Sequence, residues 1–172
     1  IILFTGACVS GYFMGRSNNV NTSSLNLAAK PAKSEELTEA QVYEKVDESV
    51  VGIVVYNTSG KGSQASGIVY SEDGYIITND HIYSEIASPK FKIYTYDNKE
   101  YDAKYIAGDK VSDLAVLKVE GTSFKTATFG NSNQIIFGEN VVAIGRPGGA
   151  TNASSVTKGI ISATSRRVQT TS

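Results

Sequence analysis

The feature that most constrains the fold is a succession of short apolar segments, bounded by turn residues, between residues 50 and 119. The segments are 50–56, 68–70, 75–78, 91–96, 101–106 and 114–119. Asp73-Gly74 separates the second from the third, and Asp97-Asn98 separates the fourth from the fifth. Both pairs are typical of tight turns between antiparallel strands. About six short strands with little helix predict a closed antiparallel barrel.

The same pattern resumes after Gly121. Three further apolar segments, 126–129, 139–144 and 156–163, are interpreted as the opening strands of a second barrel. Three strands leave open edges and an uncovered apolar face, so this second barrel is expected to be partial. The predicted organisation is all-β, with a helix and the first barrel over 38–121 and the partial second barrel over 122–172.

A short helix is predicted before the first barrel. Thr38 has the position of an N-cap and Gln41 follows three residues later, which is the spacing of a capping box. Leu37 and Val42 stand where a hydrophobic staple would form, and the helix is predicted to end near Glu48.

The first residues form a segment of their own. Residues 1–15 are apolar or small, no charge precedes Arg16, and the chain does not begin with methionine. The run is shorter than the ~20 residues of a membrane span, so we interpret it as the remnant of a single-pass signal anchor. A lipidated Cys8 is the alternative. Either interpretation places the rest of the protein outside the cytoplasm, at the cell membrane, with residues 16–37 as a flexible linker.

The composition excludes several kinds of site. Cys8 is the only cysteine and His81 the only histidine, which rules out an internal disulfide and a Cys- or His-rich metal site. The net charge is −1 and the longest basic run is Arg166-Arg167, whereas a nucleic-acid surface needs a basic stripe. We therefore expect no metal, no cofactor and no nucleic-acid partner.

His81 and Asp113 are the candidate catalytic residues. His81 follows the segment 75–78, and Asp113 lies 32 residues later, directly before the segment 114–119. A lone histidine is more often structural, and an aspartate before a strand more often satisfies a turn. In the alternative role, the Asp113 carboxylate accepts the Nδ1 proton of His81, fixes its tautomer and stabilises the imidazolium. The two residue types alone leave both interpretations open.

The sequence around these residues resembles the HtrA (Deg) family of serine proteases. Residues 65–81 resemble the segment of the catalytic histidine, and 108–119 that of the catalytic aspartate. Two further stretches agree, 129–132 and 141–149 with 156–163. The resemblance implies a chymotrypsin/trypsin-like double β-barrel and a serine endopeptidase with the chain order His, Asp, Ser. It also implies unfolded or misfolded polypeptide substrates and a homo-trimer in the full-length protein.

The main departure from that family concerns the nucleophile, because no Gly-Asn-Ser-Gly-Gly motif occurs in the sequence. Gly130-Asn131-Ser132 begins like it, but Asn133-Gln134 replace the glycines that arrange an oxyanion hole, so Ser132 is not expected to be the nucleophile. We expect the serine beyond residue 172 and the chain as given to be inactive. Smaller departures are Ala65, Asp80 and Arg146, where family members usually carry Gly, Asn and Asn.

Two other functions remain open. One is a catalytically inactive trypsin-fold module that binds peptides or acts as a scaffold. The other is a trypsin-fold protease with a narrow substrate, such as one regulatory protein. Retention of both His81 and Asp113 favours a protease over an inactive module.

Overall fold

The computed structural model describes residues 2–3, 37–60, 62–149 and 154–164. The strands in these ranges are β1 (Ile2–Leu3), β2 (Val50–Tyr56), β3 (Gly62–Val69), β4 (Tyr75–Thr78), β5 (Lys90–Tyr94), β6 (Glu100–Asp109), β7 (Leu114–Val119), β8 (Asn140–Gly145) and β9 (Ser155–Ile160). The helix α1 (Glu39–Val46) precedes β2. Short 3₁₀ helices at Asp47–Ser49, Asp80–Tyr83 and Ser132–Gln134 lie in the connections.

Strands β2 to β7 form a closed antiparallel barrel in the order β2-β3-β4-β7-β6-β5. The barrel predicted from the six apolar segments is therefore confirmed. Ile53 of β2 pairs with Ala65 of β3 on one side and with Ile93 of β5 on the other, which completes the ring. Closure matters because it leaves no strand edge free to pair with another chain.

Aliphatic side chains at every second strand position fill the barrel. In β7, the buried residues Ala115, Leu117 and Val119 alternate with half-buried ones. The side chains that are almost completely buried in the barrel core are Val51, Ile53, Val55, Val69, Ile76, Ile93, Leu117 and Val119. Burial of each contributes roughly 1.5–3 kcal/mol. The alternation visible in the sequence is thus the source of barrel stability.

The turn between β3 and β4 leads the chain to the candidate site. Gly74 has φ +98°, a conformation that favours glycine, and the Tyr70 N–H donates to the Tyr75 carbonyl across the turn (2.8 Å). The hairpin predicted from Asp73-Gly74 is confirmed. β4 then runs beside β7, with Thr78 opposite Ala115. The end of β4 therefore lies next to the beginning of β7.

Strands β1, β8 and β9 form a second sheet with β8 in the centre. β9 is antiparallel to β8 and β1 is parallel to it. The β8 residues Val142 and Ile144 pack with Val50 against one face of α1. The capping box of α1 is present as predicted, because the Gln41 N–H donates to the Thr38 hydroxyl (3.3 Å) and the Thr38 N–H donates to Gln41 Oε1 (2.9 Å).

The prediction of a strand at 126–129 is wrong. This segment has no strand structure and runs along the outside of the barrel. The Ala127 N–H donates to the Val69 carbonyl (3.0 Å), and the Phe129 ring packs edge-on against Tyr70 with 5.8 Å between ring centroids. Its apolar residues are explained by packing against the barrel, which requires no strand ladder.

The predicted anchor, 1–15, and the predicted linker, 16–37, lie outside the described residues except for Ile2–Leu3 and Leu37. Across the described ranges, no helix combines the length and the apolar character needed to cross a lipid bilayer.

Arg146 connects the second sheet to the residues between α1 and β2. Its guanidinium donates to Asp47 Oδ1 (2.8 Å), and the two side chains are only 6% and 16% exposed. Its backbone N–H donates to the Ser66 hydroxyl in β3 (2.8 Å), and the Ser154 hydroxyl also contacts the Asp47 carboxylate. A residue that departs from the HtrA pattern is thus part of a buried polar contact between the barrel and the sheet.

Arg146→Ala is expected to lower the free energy of unfolding by about 3 kcal/mol, because it removes a buried guanidinium and leaves the mostly buried Asp47 carboxylate without its cation. Urea denaturation followed by circular dichroism measures the change. Lys104→Ala is the matched control. Lys104 forms an ion pair with Glu120 (3.4 Å), and the two side chains are 77% and 80% exposed. The control should change the free energy by less than about 1 kcal/mol. Similar losses in both variants would contradict the role given to Arg146.

Candidate active site

His81 lies where β4 has ended. Asn79 is the N-cap residue of the 3₁₀ helix Asp80–Tyr83, which carries His81. The Thr78 hydroxyl donates to the Ser66 carbonyl (2.9 Å) and holds the end of β4 against β3. The His81 side chain is 60% exposed, so its imidazole faces solvent and not the barrel core.

Asp113 directly precedes β7 and faces His81. Its backbone has φ +54°, in the left-handed region that aspartate and asparagine enter more readily than most residues. Asp109 holds the turn before it, because its carboxylate accepts from the Val111 N–H (3.0 Å) and the Ser112 hydroxyl (2.8 Å). The hydrogen bonds from Ser112 and Val111 hold the pKa of Asp109 below its usual range. This turn directs the Asp113 carboxylate toward the end of β4.

The two predicted catalytic residues are in contact. His81 Nδ1 lies 2.7 Å from Asp113 Oδ2, and the His81 backbone N–H donates to Asp113 Oδ1 (2.9 Å). Both oxygens of one carboxylate therefore bind one residue, one through its ring and the other through its main chain. This double contact restrains the imidazole more tightly than a single bond would.

The contact also selects a tautomer. Since an ionised carboxylate only accepts hydrogen bonds, this contact favours the tautomer of the neutral imidazole that carries its proton on Nδ1 and leaves the lone pair on Nε2. An imidazole held in this way can take a proton at Nε2 while the Asp113 carboxylate stabilises the cation that results. The arrangement is chemically suited to a general base.

Asn79 belongs to the same constellation, although the sequence analysis did not single it out. Its Nδ2 donates to both Oδ2 and the carbonyl oxygen of Asp113, each at 3.2 Å. The Asp80 N–H donates to the same carbonyl (3.2 Å). The only sequence signal is an amide two residues before the histidine, and this signal has meaning only once β4 and β7 are known to pair.

The neighbouring Asp80 turns into the protein. It is 3% exposed, and its Oδ1 accepts a hydrogen bond from the Tyr83 hydroxyl (2.6 Å). Burial, with further contributions from the hydrogen bonds to Asp80 and Tyr105, raises the pKa of Tyr83 far above that of an ordinary tyrosine. Tyr83 therefore remains a donor to Asp80 at neutral and mildly alkaline pH.

Ser132 lies in the connection between the barrel and β8, where it begins the 3₁₀ helix Ser132–Gln134. Asn131 caps this helix by accepting from the Asn133 N–H (3.0 Å).

Within the part of the chain that the structure describes, no three His, Cys, Asp or Glu side chains converge as a metal-binding group would.

A closed antiparallel barrel with a histidine and an aspartate in contact at the adjoining ends of two neighbouring strands is an arrangement typical of trypsin-like peptidases. The family model for the trypsin-like peptidase domain matches residues 65–172, and the chain belongs to this family. Within the family, its relatives are serine proteases of the HtrA and DegP kind, which confirms the resemblance found in the sequence.

Two relatives show the extent of the similarity. The chain is 44% identical over 104 residues to a probable periplasmic serine endoprotease DegP-like of Pseudomonas savastanoi pv. phaseolicola, a match that covers 60% of this chain and 21% of the relative. It is 40% identical over 114 residues to a serine protease Do-like HtrA of Lactobacillus helveticus, with 64% and 27% covered. The chain thus spans about a quarter of the length of these relatives or less.

The fold is also that of a solved HtrA protease. The structure of the HtrA-type protease AlgW with tripeptide superposes with a TM-score of 0.68 at 30% sequence identity. The match covers 76% of this chain and 42% of that one. The all-β trypsin-like fold is therefore confirmed.

The raised pKa of Tyr83 predicts a loss of stability at alkaline pH. Unfolded Tyr83 ionises near pH 10.0, whereas the folded chain retains this proton. Only the unfolded state loses it as the pH rises, so this contribution to the free energy of unfolding is complete below about pH 10 and declines above it. Urea denaturation between about pH 9 and 11 should show a steeper decline in wild type than in Tyr83→Phe, by up to about 1.4 kcal/mol per pH unit. Parallel declines would contradict the assignment.

Proposed function

We propose that the whole protein is an HtrA-like serine endopeptidase in which His81 is the general base and Asp113 orients it. The observation that carries the proposal is the double contact of the Asp113 carboxylate, 2.7 Å to the ring and 2.9 Å to the backbone N–H of His81. An aspartate that only satisfied its own turn would need no contact with an imidazole. The turn before Asp113 is instead held by Asp109.

The proposed reaction is acyl transfer. A serine hydroxyl attacks the carbonyl carbon of a peptide bond, and Nε2 of His81 takes the hydroxyl proton. The tetrahedral intermediate collapses, the C–N bond breaks, and the imidazolium returns the proton to the leaving amine. Water then hydrolyses the acyl-enzyme with His81 again acting as the base. Asp113 stays ionised throughout and stabilises the imidazolium.

The serine is proposed to come from a segment that follows the given residues. The 172 residues contain no Gly-Asn-Ser-Gly-Gly motif, and the relatives are several times as long as the matched region. Such a segment would also supply the N–H groups of the oxyanion hole. The chain as given is accordingly expected not to cleave peptides, while its His81–Asp113 pair is already assembled.

The proposed substrates are unfolded or misfolded polypeptides outside the cytoplasm. Two similar proteins support this: one is a probable periplasmic serine endoprotease, and the structure of the HtrA-type protease AlgW contains a tripeptide. Residues 1–15 are proposed as a single-pass membrane anchor on the strength of their apolar sequence, which requires Ile2–Leu3 to leave their pairing with β8. The full-length protein is proposed as a homo-trimer by its resemblance to the HtrA family. The mechanism calls for no cofactor and no metal ion.

Asp113→Asn in the full-length protein should lower the turnover of an unfolded protein such as casein by about 10⁴-fold, because an amide favours the wrong tautomer of His81. Asparagine tolerates the left-handed backbone at φ +54°, so the fold should be retained. The measurement is steady-state proteolysis together with circular dichroism. Asp97→Asn is the control, since Asp97 lies in the distant β5–β6 turn, and it should retain wild-type turnover. A loss of only a few-fold in Asp113→Asn would show that Asp113 is a turn residue.

Reading the coding sequence beyond Ser172 tests the missing nucleophile directly. A Gly-Asn-Ser-Gly-Gly motif within the following few tens of codons is the expected result, and Ser→Ala in that motif should abolish cleavage. A frame that ends, or a motif without serine, would favour an inactive trypsin-fold module that binds peptides or acts as a scaffold.

A further inference from the structure

The proposed mechanism leaves one buried carboxyl group without a role. Asp80 directly precedes His81, and burying an acid beside a general base is costly unless the acid is hydrogen-bonded. Its Oδ1 accepts from the Tyr83 hydroxyl at 2.6 Å, and Asp80 is only 3% exposed. Both residues lie on the same 3₁₀ helix as His81: Asp80 directly precedes His81, and Tyr83 follows it by two residues.

The space for the Asp80 carboxyl group is shaped by β6. A Cβ atom added to Gly108 would lie 2.1 Å from Asp80 Oδ1 and 2.5 Å from the Tyr105 hydroxyl. The absence of a side chain at Gly108 therefore admits both groups. The Tyr83 ring packs edge-on against Tyr105 and Phe91, at 5.2 and 5.8 Å between centroids. Together these contacts attach the helix that carries His81 to the neighbouring strands.

The backbone of Asp80 also contacts Asp113, the second candidate catalytic residue. Its N–H donates to the Asp113 carbonyl (3.2 Å), while the next N–H, that of His81, donates to the Asp113 carboxylate (2.9 Å). Asp80 thus contacts Asp113 through its main chain and Tyr83 through its side chain. The two contacts connect the Tyr83 hydroxyl to the peptide groups that hold His81 against Asp113.

We propose that Asp80 and Tyr83 are positioning residues, whose hydrogen bond at the buried Asp80 carboxyl group fixes the helix Asp80–Tyr83 so that the His81 imidazole stays aligned with Asp113. Neither residue contacts the reacting atoms. The consequence for turnover rests on the proposed function, whereas the tautomer of the imidazole can be measured without reference to turnover.

The first experiment uses the fact that His81 is the only histidine. Long-range ¹H–¹⁵N correlation spectra report its tautomer at about pH 8.5, where an ordinary imidazole is neutral. Wild type should show the Nδ1–H tautomer. Tyr83→Phe, which keeps the ring and removes the donor, should shift the population toward the Nε2–H tautomer that free histidine prefers. Unchanged circular dichroism verifies that the variant is folded.

Tyr94→Phe is the matched control, because it removes another tyrosine–carboxylate hydrogen bond, that to Glu100 (2.8 Å), on β5. It should leave the His81 tautomer as in wild type. A wild-type tautomer population in Tyr83→Phe, or an equal shift in both variants, would overturn the proposal.

The second experiment tests whether the hydrogen bond between Tyr83 and Asp80 is needed, or only a side chain of similar size at position 80. In the full-length protein, Asp80→Leu should lower kcat by about tenfold to a hundredfold with little change in KM, the range expected for a slightly misplaced catalytic group. Asp80→Asn keeps an acceptor for Tyr83 and should restore kcat to within about threefold of wild type. Wild-type kcat in Asp80→Leu would overturn the proposal.

The two proposals fail in different ways. If the full-length protein proves inactive as a protease, the proposed function falls, and the tautomer of His81 in Tyr83→Phe still decides whether Asp80 and Tyr83 position the imidazole. If the protease is active but neither the tautomer nor kcat responds, the positioning role alone is wrong.

Discussion

The antiparallel pairing of β4 with β7 is the contact on which the candidate site depends. His81 and Asp113 are 32 residues apart in the sequence, and they meet because one follows β4 and the other precedes β7. Ile76 and Leu117 stand opposite each other in this pair, and both are buried in the barrel core. The hydrophobic burial that closes the barrel therefore also sets the distance between the imidazole and the carboxylate. The pairing of β4 with β7 thus contributes both to the stability of the barrel and to the geometry of the candidate site.

Asp113, directly before β7, connects this strand pair to the candidate catalytic residues through its hydrogen bonds. Its carbonyl accepts from Asp80 and Asn79, and its carboxylate accepts from the main chain and ring of His81 and from the Asn79 amide. The backbone of Asp113 has φ +54°, and the turn held by Asp109 directly precedes it. The backbone contacts order the ends of the strands and the ring contact selects the tautomer, so the same hydrogen bonds that complete the fold also orient the candidate site.

The local features were predictable because each depends on a few adjacent residues. Asp73-Gly74 encodes a tight turn whatever the rest of the fold, and Thr38 with Gln41 encodes a helix start. The segment 126–129 shows the limit of that reasoning. An apolar pattern reports that side chains will be at least partly buried, but not whether the backbone pairs in a sheet, and here the half-buried Phe129 packs edge-on against Tyr70 without a strand ladder. Asn79 escaped notice for a related reason, since its partner lies 34 residues away.

By itself, the sequence determined the number of barrel strands, the helix cap, the resemblance to HtrA proteases, and His81 and Asp113 as candidate catalytic residues, whereas β3 begins six residues before its predicted segment. Only the tertiary structure decided that Asp80 points inward, because that depends on the space beside Gly108 on another strand. It likewise decided that Arg146 pairs with Asp47, 99 residues earlier in the chain. Periodicity and turn chemistry act over a few residues, whereas the direction of a side chain and the partner of a buried charge are set by which distant segments the closed barrel brings together.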